Sequence, residues 1–480
     1  MEGKVNQRIL TRINNRRLSI IVFSLFSSWM LAFPFEGRIL YELMSFHNIS
    51  SNSFIFSTMV AHFLGLLLSW TFVKTMRAAK KFILFSVAFC IIASCIFFFE
   101  PSFLWRAALL VAAFLIGCCV AAWSFFLKGF TPKNDRIKTI ADGLIGSNIL
   151  MILLNMSAIH VSPYAGLGFS IVALGMAFLF GLKLPTEENS DSPLISQLKE
   201  VHVDKYGSLI FLCLFIVVIT INSGLMYHVQ GPAFAHLEWL TSWYWAIPYI
   251  IALFIMRNLP RKTNRSYILY VAIAMIGFSF IAFMALDRSW MSYLIVNTLM
   301  LGASGVFDLF WWSILGEALE FDKNPAKIMG IGLSSNVLGV MLGGVIGSVI
   351  NRQSLDATLL ALGVVCITLI MLPPLHKRLT ALLIDHVYLT AISEIPPQEQ
   401  IQMDSYITLE DKLTERESEI TTLLLKGKTY RMIAEELHVS QNTVKTHIKN
   451  IYSKAEVQSR SELMNLLLDK ELSSKEPANT

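Results

Sequence analysis

The chain has 480 residues, 54% of them hydrophobic and 15% charged, with a formal net charge of +5. Soluble domains carry about a quarter charged residues, so this composition excludes a purely soluble protein and indicates a membrane-embedded one. The six cysteines (Cys90, Cys95, Cys118, Cys119, Cys213 and Cys366) all fall in apolar runs without a CxxC, which argues against a metal site or a disulfide framework.

Residues 1–17 form a basic N-terminal segment, in which RILTRINNRR leads directly into an apolar run. No small-residue cleavage site follows, so the run reads as a retained first span and not a removed leader. Residues 18–375 hold twelve apolar stretches, each close to the roughly 20 residues that a bilayer-spanning helix needs. They centre on Phe26, Phe63, Ile91, Leu115, Leu150, Leu174, Phe215, Tyr249, Ile276, Leu301, Leu338 and Val365. Alternate loops differ sharply in charge. One side holds 24 Lys and Arg, including Lys74, Arg77, Lys80 and Lys81, while the other holds Arg38, Arg106, Arg288 and Arg352. The positive-inside rule then places both termini in the cytoplasm. The expected location is the inner membrane of a bacterium, crossed many times.

Several residues recur at an offset of 188. Lys74-Thr75-Met76-Arg77 answers to Lys262-Thr263-Asn264-Arg265, Gly117 to Gly305, Trp123 to Trp311, and Ser147-Asn148 to Ser335-Asn336. One register for all four predicts two six-span halves, 18–184 and 207–375, joined by a polar cytoplasmic linker at 185–206. Two such halves with basic loops between their second and third spans resemble the major facilitator superfamily over roughly residues 18–375. The loop KTMRAAKK lacks the Gly and Asp usual there, which weighs against transport.

Charged side chains inside spans are costly and so mark candidate sites. Glu36, Arg38 and Glu42 lie on the outer part of the first span; the i, i+4 spacing lets Arg38 and Glu42 pair, and Glu36 is left to face a cavity. Asp308 sits beside Phe310, Trp311 and Trp312, a setting suited either to a cationic or amphipathic ligand or to a structural hydrogen bond. The candidate ligand-binding residues are Glu36, Arg38, Asp308 and Trp311. Asp142 is expected to cap a helix or to meet Arg136 or Lys138. Gly339, Gly343 and Gly347 form a GxxxGxxxG run that predicts close helix packing within the bundle.

A linker at 376–406 contains Pro396-Pro397, and a small soluble domain follows at 407–472 with a tail at 473–480. Thr414 and Glu417 form a capping box for a first helix that buries Ile420, Leu423 and Leu424 and stops at Gly427. Thr429 caps a second helix that buries Ile433, Ala434 and Leu437. After the turn His438-Val439-Ser440, Ser440 caps a third. A fourth starts at Ser459 and buries Leu463, Leu466 and Leu467. This is a helix-turn-helix order. In the third helix Val444, Ile448 and Ile451 make the buried stripe, and Asn442, Lys445, Thr446, Lys449, Asn450 and Ser453 lie opposite. Lysine suits guanine acceptors and the threonine methyl suits thymine. From Ile407 to Leu472 the domain holds ten Lys or Arg against eleven Asp or Glu, so its positive charge is local to this helix.

The run LTERESEITTLLLKGKTYRMIAEELHVSQNTVKTHIKNIYSKAEVQSRSEL resembles the LuxR/GerE-type helix-turn-helix family. It departs from that pattern at Ala455-Glu456, where the family has Leu-Gly. The resemblance implies that Lys445, Thr446 and Lys449 face base edges, that Asn442, Thr443, His447 and Lys454 lie nearer phosphates, and that the helix from Ser459 dimerises. With Thr429 and Asn450, these are the candidate DNA-binding residues. The expected fold class is all-α: a twelve-helix transmembrane bundle of major-facilitator type followed by a four-helix LuxR-type domain. The expected function is a membrane-bound one-component regulator, with a working transporter as the alternative. Expected partners are promoter DNA, membrane lipid, an unidentified small molecule and a second copy of the chain. No catalytic residues, metal site or cofactor are expected.

Overall fold

The computed structural model describes residues 2–35, 37–49, 52–186, 205–259, 265–350, 354–393, 414–425, 428–454 and 463. Every element among them is helical. They fall into two compact units, one within residues 1–376 and one within 377–480.

In chain order the helices of the first unit are α1 (Glu2–Ala32), α2 (Arg38–Phe46), α3 (Asn52–Phe72), α4 (Met76–Cys95), α5 (Phe103–Ala122), α6 (Ser124–Phe130), α7 (Arg136–His160) and α8 (Pro163–Leu182). Then come α9 (Lys205–Leu225), α10 (Gly231–Ala233), α11 (Glu238–Thr241), α12 (Ile247–Asn258), α13 (Arg265–Ala285), α14 (Trp290–Ala318), α15 (Pro325–Val349) and α16 (Ser354–Ser393), which continues past His376, where that unit ends. Short polar side chains start several of them. Thr75, Ser162, Ser289 and Asn324 accept the backbone N–H of Ala78, Ala165, Ser292 and Ala326, respectively. Pro163 and Pro325 occupy first-turn positions where the missing N–H costs nothing.

Among the described residues, ten helices are long and apolar enough to cross a membrane. All twelve centres read from the sequence lie in helices. Two of them, Phe26 and Tyr249, lie outside those ten. Phe26 is in the 31-residue α1. Tyr249 is in α12, whose 12 residues span only about 18 Å at 1.5 Å per residue. The helical stretch before it, Tyr206–Ala233, includes Pro232, and α12 starts only at Ile247, with Pro248 in its first turn.

The tightest packing is between α9 and α15. A Cβ on Gly339 would lie 2.3 Å from the Val217 carbonyl oxygen, and one on Gly343 would lie 2.1 Å from that of Ile221. The expected close packing of the GxxxGxxxG run within the bundle is therefore observed. In the two halves read from the sequence, α1 packs on α7 and α3 on α5, while α9 packs on α15 and α12 on α14. Gly117 and Gly305 play matching parts. A Cβ there would meet the carbonyl oxygen of His62 at 2.6 Å and of Tyr249 at 2.7 Å.

Charged and polar pairs link helices from either side of residues 187–204. The buried Arg136 guanidinium donates to the Gly316 carbonyl at 2.8 Å and to Glu320 at 2.5 Å. Lys128 donates to the carbonyl oxygen of Leu319 at 2.8 Å. Asp142 meets neither Arg136 nor Lys138, contrary to expectation; it accepts two bonds from Arg257, at 2.5 and 3.1 Å. A planar guanidinium presents two parallel donors to a carboxylate, which a neighbouring lysine one turn away cannot. Aromatic rings also bridge the halves. Trp312 lies 5.9 Å from Phe23 and 6.5 Å from Trp123 between ring centroids.

The second unit has three described helices after α16: Glu415–Leu425, Tyr430–Glu436 and Gln441–Lys454. Ile420, Leu423, Leu424, Ile433, Ala434, Val444, Ile448, Ile451 and Leu463 form its buried core, with Tyr430, Leu437, Val439 and Tyr452 packed around it. The first part of the expected 376–406 linker continues α16 to Ser393; its remainder with Pro396-Pro397, the expected cap at Ser459, the departure at Ala455-Glu456, the Gly427 stop and the tail lie outside the described residues, as does most of the 185–206 linker.

Candidate functional site

The third helix of the C-terminal unit, Gln441–Lys454, owes its orientation to apolar spacing. Val444, Ile448 and Ile451 are 0%, 3% and 0% exposed and seat it on the first two helices. Hydrophobic positions at i, i+4 and i+7 leave the opposite face to solvent. That face carries Asn442, Lys445, Thr446, Lys449 and Asn450, all exposed, with His447 half-buried at its margin. Lys445 and Lys449 stand one turn apart.

Local capping fixes each helix start. The Thr414 backbone N–H donates to Glu417 Oε2 at 2.8 Å, and the Glu417 N–H donates to Thr414 Oγ1 at 3.4 Å, the reciprocal pattern of a capping box. Thr429 Oγ1 accepts the Met432 N–H at 3.3 Å and so caps the second helix. Ser440 Oγ accepts the Thr443 N–H at 3.1 Å and lies 2.8 Å from the Thr443 hydroxyl. The turn between them passes through His438, whose φ of 52° is left-handed. Thr446 donates its hydroxyl to the Asn442 carbonyl at 3.0 Å.

Two contacts have no local sequence signature. Arg416 donates to the Leu437 carbonyl at 2.9 Å, across 21 residues. Lys454 donates to Glu417 Oε2 at 2.6 Å, across 37 residues. Glu417 is only 3% exposed. Burial pushes its carboxyl up, but the bond from Lys454, the backbone and hydroxyl bonds from Thr414 and the Lys454 charge outweigh that and hold it below the usual value. Lys428 and Glu436 also pair on the surface.

The structure brings together part of the candidate membrane site. Tyr249 on α12 donates its hydroxyl to Asp308 on α14 at 2.7 Å. One turn on, Trp311 is 2% exposed and its indole N–H has no hydrogen-bond partner among the described residues. Trp311 stacks on Phe307 at 6.4 Å. Tyr249 escaped the sequence reading because its pairing depends on where α12 begins. Arg38 is placed elsewhere. Its guanidinium donates to Thr241 at 3.2 Å and its backbone N–H to Asn155 at 3.3 Å. The expected Arg38–Glu42 ion pair does not form among the described residues; the Thr241 hydroxyl on α11 takes the guanidinium instead. Glu36 lies outside the described residues.

Residues 411–467 match the family described as bacterial regulatory proteins, luxR family. Over 61 residues the chain is 46% identical to the response regulator protein VraR of Staphylococcus aureus, and equally so to those of Staphylococcus saprophyticus and Staphylococcus epidermidis. The matched stretch is 13% of this chain and 29% of the length of each relative. The remainder is similar in fold to solved transporters. The human organic anion transporter MFSD10 superposes with a TM-score of 0.57 at 13% identity, covering 75% of this chain and 98% of that one. A bacterial homologue of the iron transporter ferroportin, in an outward-facing state, gives 0.56 at 12% identity over 76% of this chain and 99% of its own. The C-terminal unit thus holds a LuxR-type helix-turn-helix DNA-binding domain, and the helical region before it shares its fold with these solved transporters.

Proposed function

We propose that this chain is a membrane-bound one-component transcription regulator. The observation that carries the reading is the exposed face of Gln441–Lys454, with Lys445, Thr446 and Lys449 projecting away from a helix whose other side is fully buried. Such a helix enters the major groove of duplex DNA. Lys445 and Lys449 donate to guanine acceptors, and the Thr446 methyl meets a thymine methyl. Asn442, Thr443, His447 and Asn450 flank these contacts, and the N-terminus of the second helix at Thr429 approaches phosphate. Two copies pair through the segment that follows Ser459, which raises affinity for paired half-sites by effective concentration. The membrane region comprises twelve spans in two repeating halves, with both termini in the cytoplasm of a bacterium. It senses a small molecule by binding two of its conformations unequally.

Genome-wide DNA capture by the intact chain tests the reading against Lys445→Ala/Lys449→Ala. Specific enrichment that vanishes in the double variant is the expected result. Equal enrichment for both sinks the assignment of the reading helix.

A second reading has its own support. The half-buried Asp308–Tyr249 pair beside the unpartnered Trp311 indole suits a site for a cationic or amphipathic substrate, and hence a working transporter under C-terminal control. Saturable uptake into vesicles that is lost in Asp308→Asn would favour it.

A further inference from the structure

We infer that Lys454 is a positioning residue that sets the recognition helix through Glu417, and not a phosphate contact; its consequence for binding rests on the DNA-reading proposal above. The helix advances 100° per residue, so the nine residues from Lys445 to Lys454 turn about 180°. Lys454 therefore lies opposite Lys445, at the flank of the helix, about 60° from the buried Ile451 and about 40° from Asn450. Its ammonium meets Glu417 Oε2 at 2.6 Å. The same oxygen accepts the Thr414 backbone N–H at 2.8 Å and the Thr414 hydroxyl at 3.0 Å. Three donors thus converge on one carboxylate oxygen in a residue 3% exposed. A phosphate that drew Lys454 away would leave that carboxylate buried and short of its counter-charge, which is strongly unfavourable.

The neighbouring residue makes the arrangement a clamp. Arg416 holds the carbonyl of Leu437 at the end of the second helix. Glu417 holds the last residue of the recognition helix. The first turn of Glu415–Leu425 therefore grips the C-terminal ends of both other helices from adjacent positions. Lys445 and Lys449 are left to meet DNA, and Lys454 transmits the position of the first helix to the reading face.

The test uses the full chain in lipid nanodiscs. The probe is a fluorescent duplex enriched by the intact chain from a random-sequence pool, with an unrelated duplex for comparison. Binding is measured across a salt series, together with amide hydrogen exchange along 444–454, for Lys454→Met, Glu417→Gln, their double variant and Lys445→Ala. Lys454→Met is expected to weaken duplex binding about tenfold, within the range for coupled neighbours, and to speed exchange in the last turn of the helix. Its salt slope stays that of the parent, whereas Lys445→Ala weakens the selected duplex and narrows its advantage over the unrelated one. In the Glu417→Gln background, Lys454→Met adds nothing further.

Glu417→Gln alone decides the matter if the lysine variant folds poorly. It frees Lys454 and removes a negative charge, so a phosphate contact predicts tighter binding and a positioning role predicts weaker binding. Tighter binding overturns the inference. So does a Lys454→Met effect that lowers the slope by about one and persists without Glu417, or folded Lys454→Met that binds like the parent. Accelerated exchange in Lys454→Met with no duplex effect from Lys445→Ala would sink the DNA reading while supporting the clamp.

Discussion

Thr446 illustrates how one hydrogen bond decides what a side chain offers. Its hydroxyl proton is committed to the Asn442 carbonyl, so the methyl is the group left for an apolar contact with a base. Thr446→Val keeps that methyl and is expected to bind the selected duplex like the parent. Thr446→Ser removes it and is expected to cost roughly 0.8 kcal/mol, the value of one buried carbon; fluorescence anisotropy distinguishes the two. Glu417 gives a pH prediction. Its folded value lies below the ordinary 4.5, so its stabilisation is complete above that pH and is lost as pH falls through the lowered value. Glu417→Gln should therefore melt at lower temperature at neutral pH and show a flatter decline below about pH 4.5, measured by hydrogen exchange of the C-terminal unit. The caps at Thr414, Thr429 and Ser440 were legible because a cap is a contact across three residues. The bonds from Arg416 and Lys454 were not, since they join residues 21 and 37 positions apart and exist only once the three helices pack.

Helices show the same division between local and distant causes. The apolar runs located a helix at each of the twelve centres, because span length and composition are properties of a continuous stretch. The late start of α12 was missed: Pro248 stands within an apolar run, and hydropathy alone does not register where the helix begins. Asp142 was legible as a charged residue in need of a partner, but its pairing with Arg257 depends on α7 and α12 meeting. The α9–α15 crossing offers a direct test. Gly343→Ala places a methyl 2.1 Å from the Ile221 carbonyl oxygen and must push the helices apart. Gly363, on α16, has nothing within 4 Å of a Cβ. Gly363→Ala is expected to hold or raise the melting midpoint, since alanine is favoured over glycine in a helix by about 1 kcal/mol. Gly343→Ala is expected to lower it and reduce the monodisperse fraction on size exclusion in detergent.

At the scale of the membrane region, the contacts between its halves differ in worth. Arg136 is 3% exposed in its side chain and depends on Glu320. Glu320→Ala leaves that guanidinium buried without its counter-charge and should cost roughly 3 kcal/mol. The Arg257–Asp142 pair is 30% exposed on both sides, so Asp142→Ala should cost about 1 kcal/mol or less. Thermal midpoints in one detergent rank the two, and equal losses would contradict this reading of burial. The division into a membrane region and a DNA-reading unit was legible from the change in composition near Pro373. Which charges join the halves was not, because it depends on helices brought together from distant parts of the chain.

The aromatic bridge between Phe23, Trp123 and Trp312 has an optical consequence. All ten tryptophans precede Ser313, and residues 411–467 contain none. Red-edge excitation therefore reports on the membrane region alone, in the intact chain and without a label, while Tyr430 and Tyr452 are the chromophores of the C-terminal core. Indoles 6.5 Å apart couple their transitions, so circular dichroism should carry an exciton couplet that Trp312→Phe abolishes. Any ligand that parts the halves would dim that couplet, and a titration followed by it would screen candidate signals before any target gene is identified.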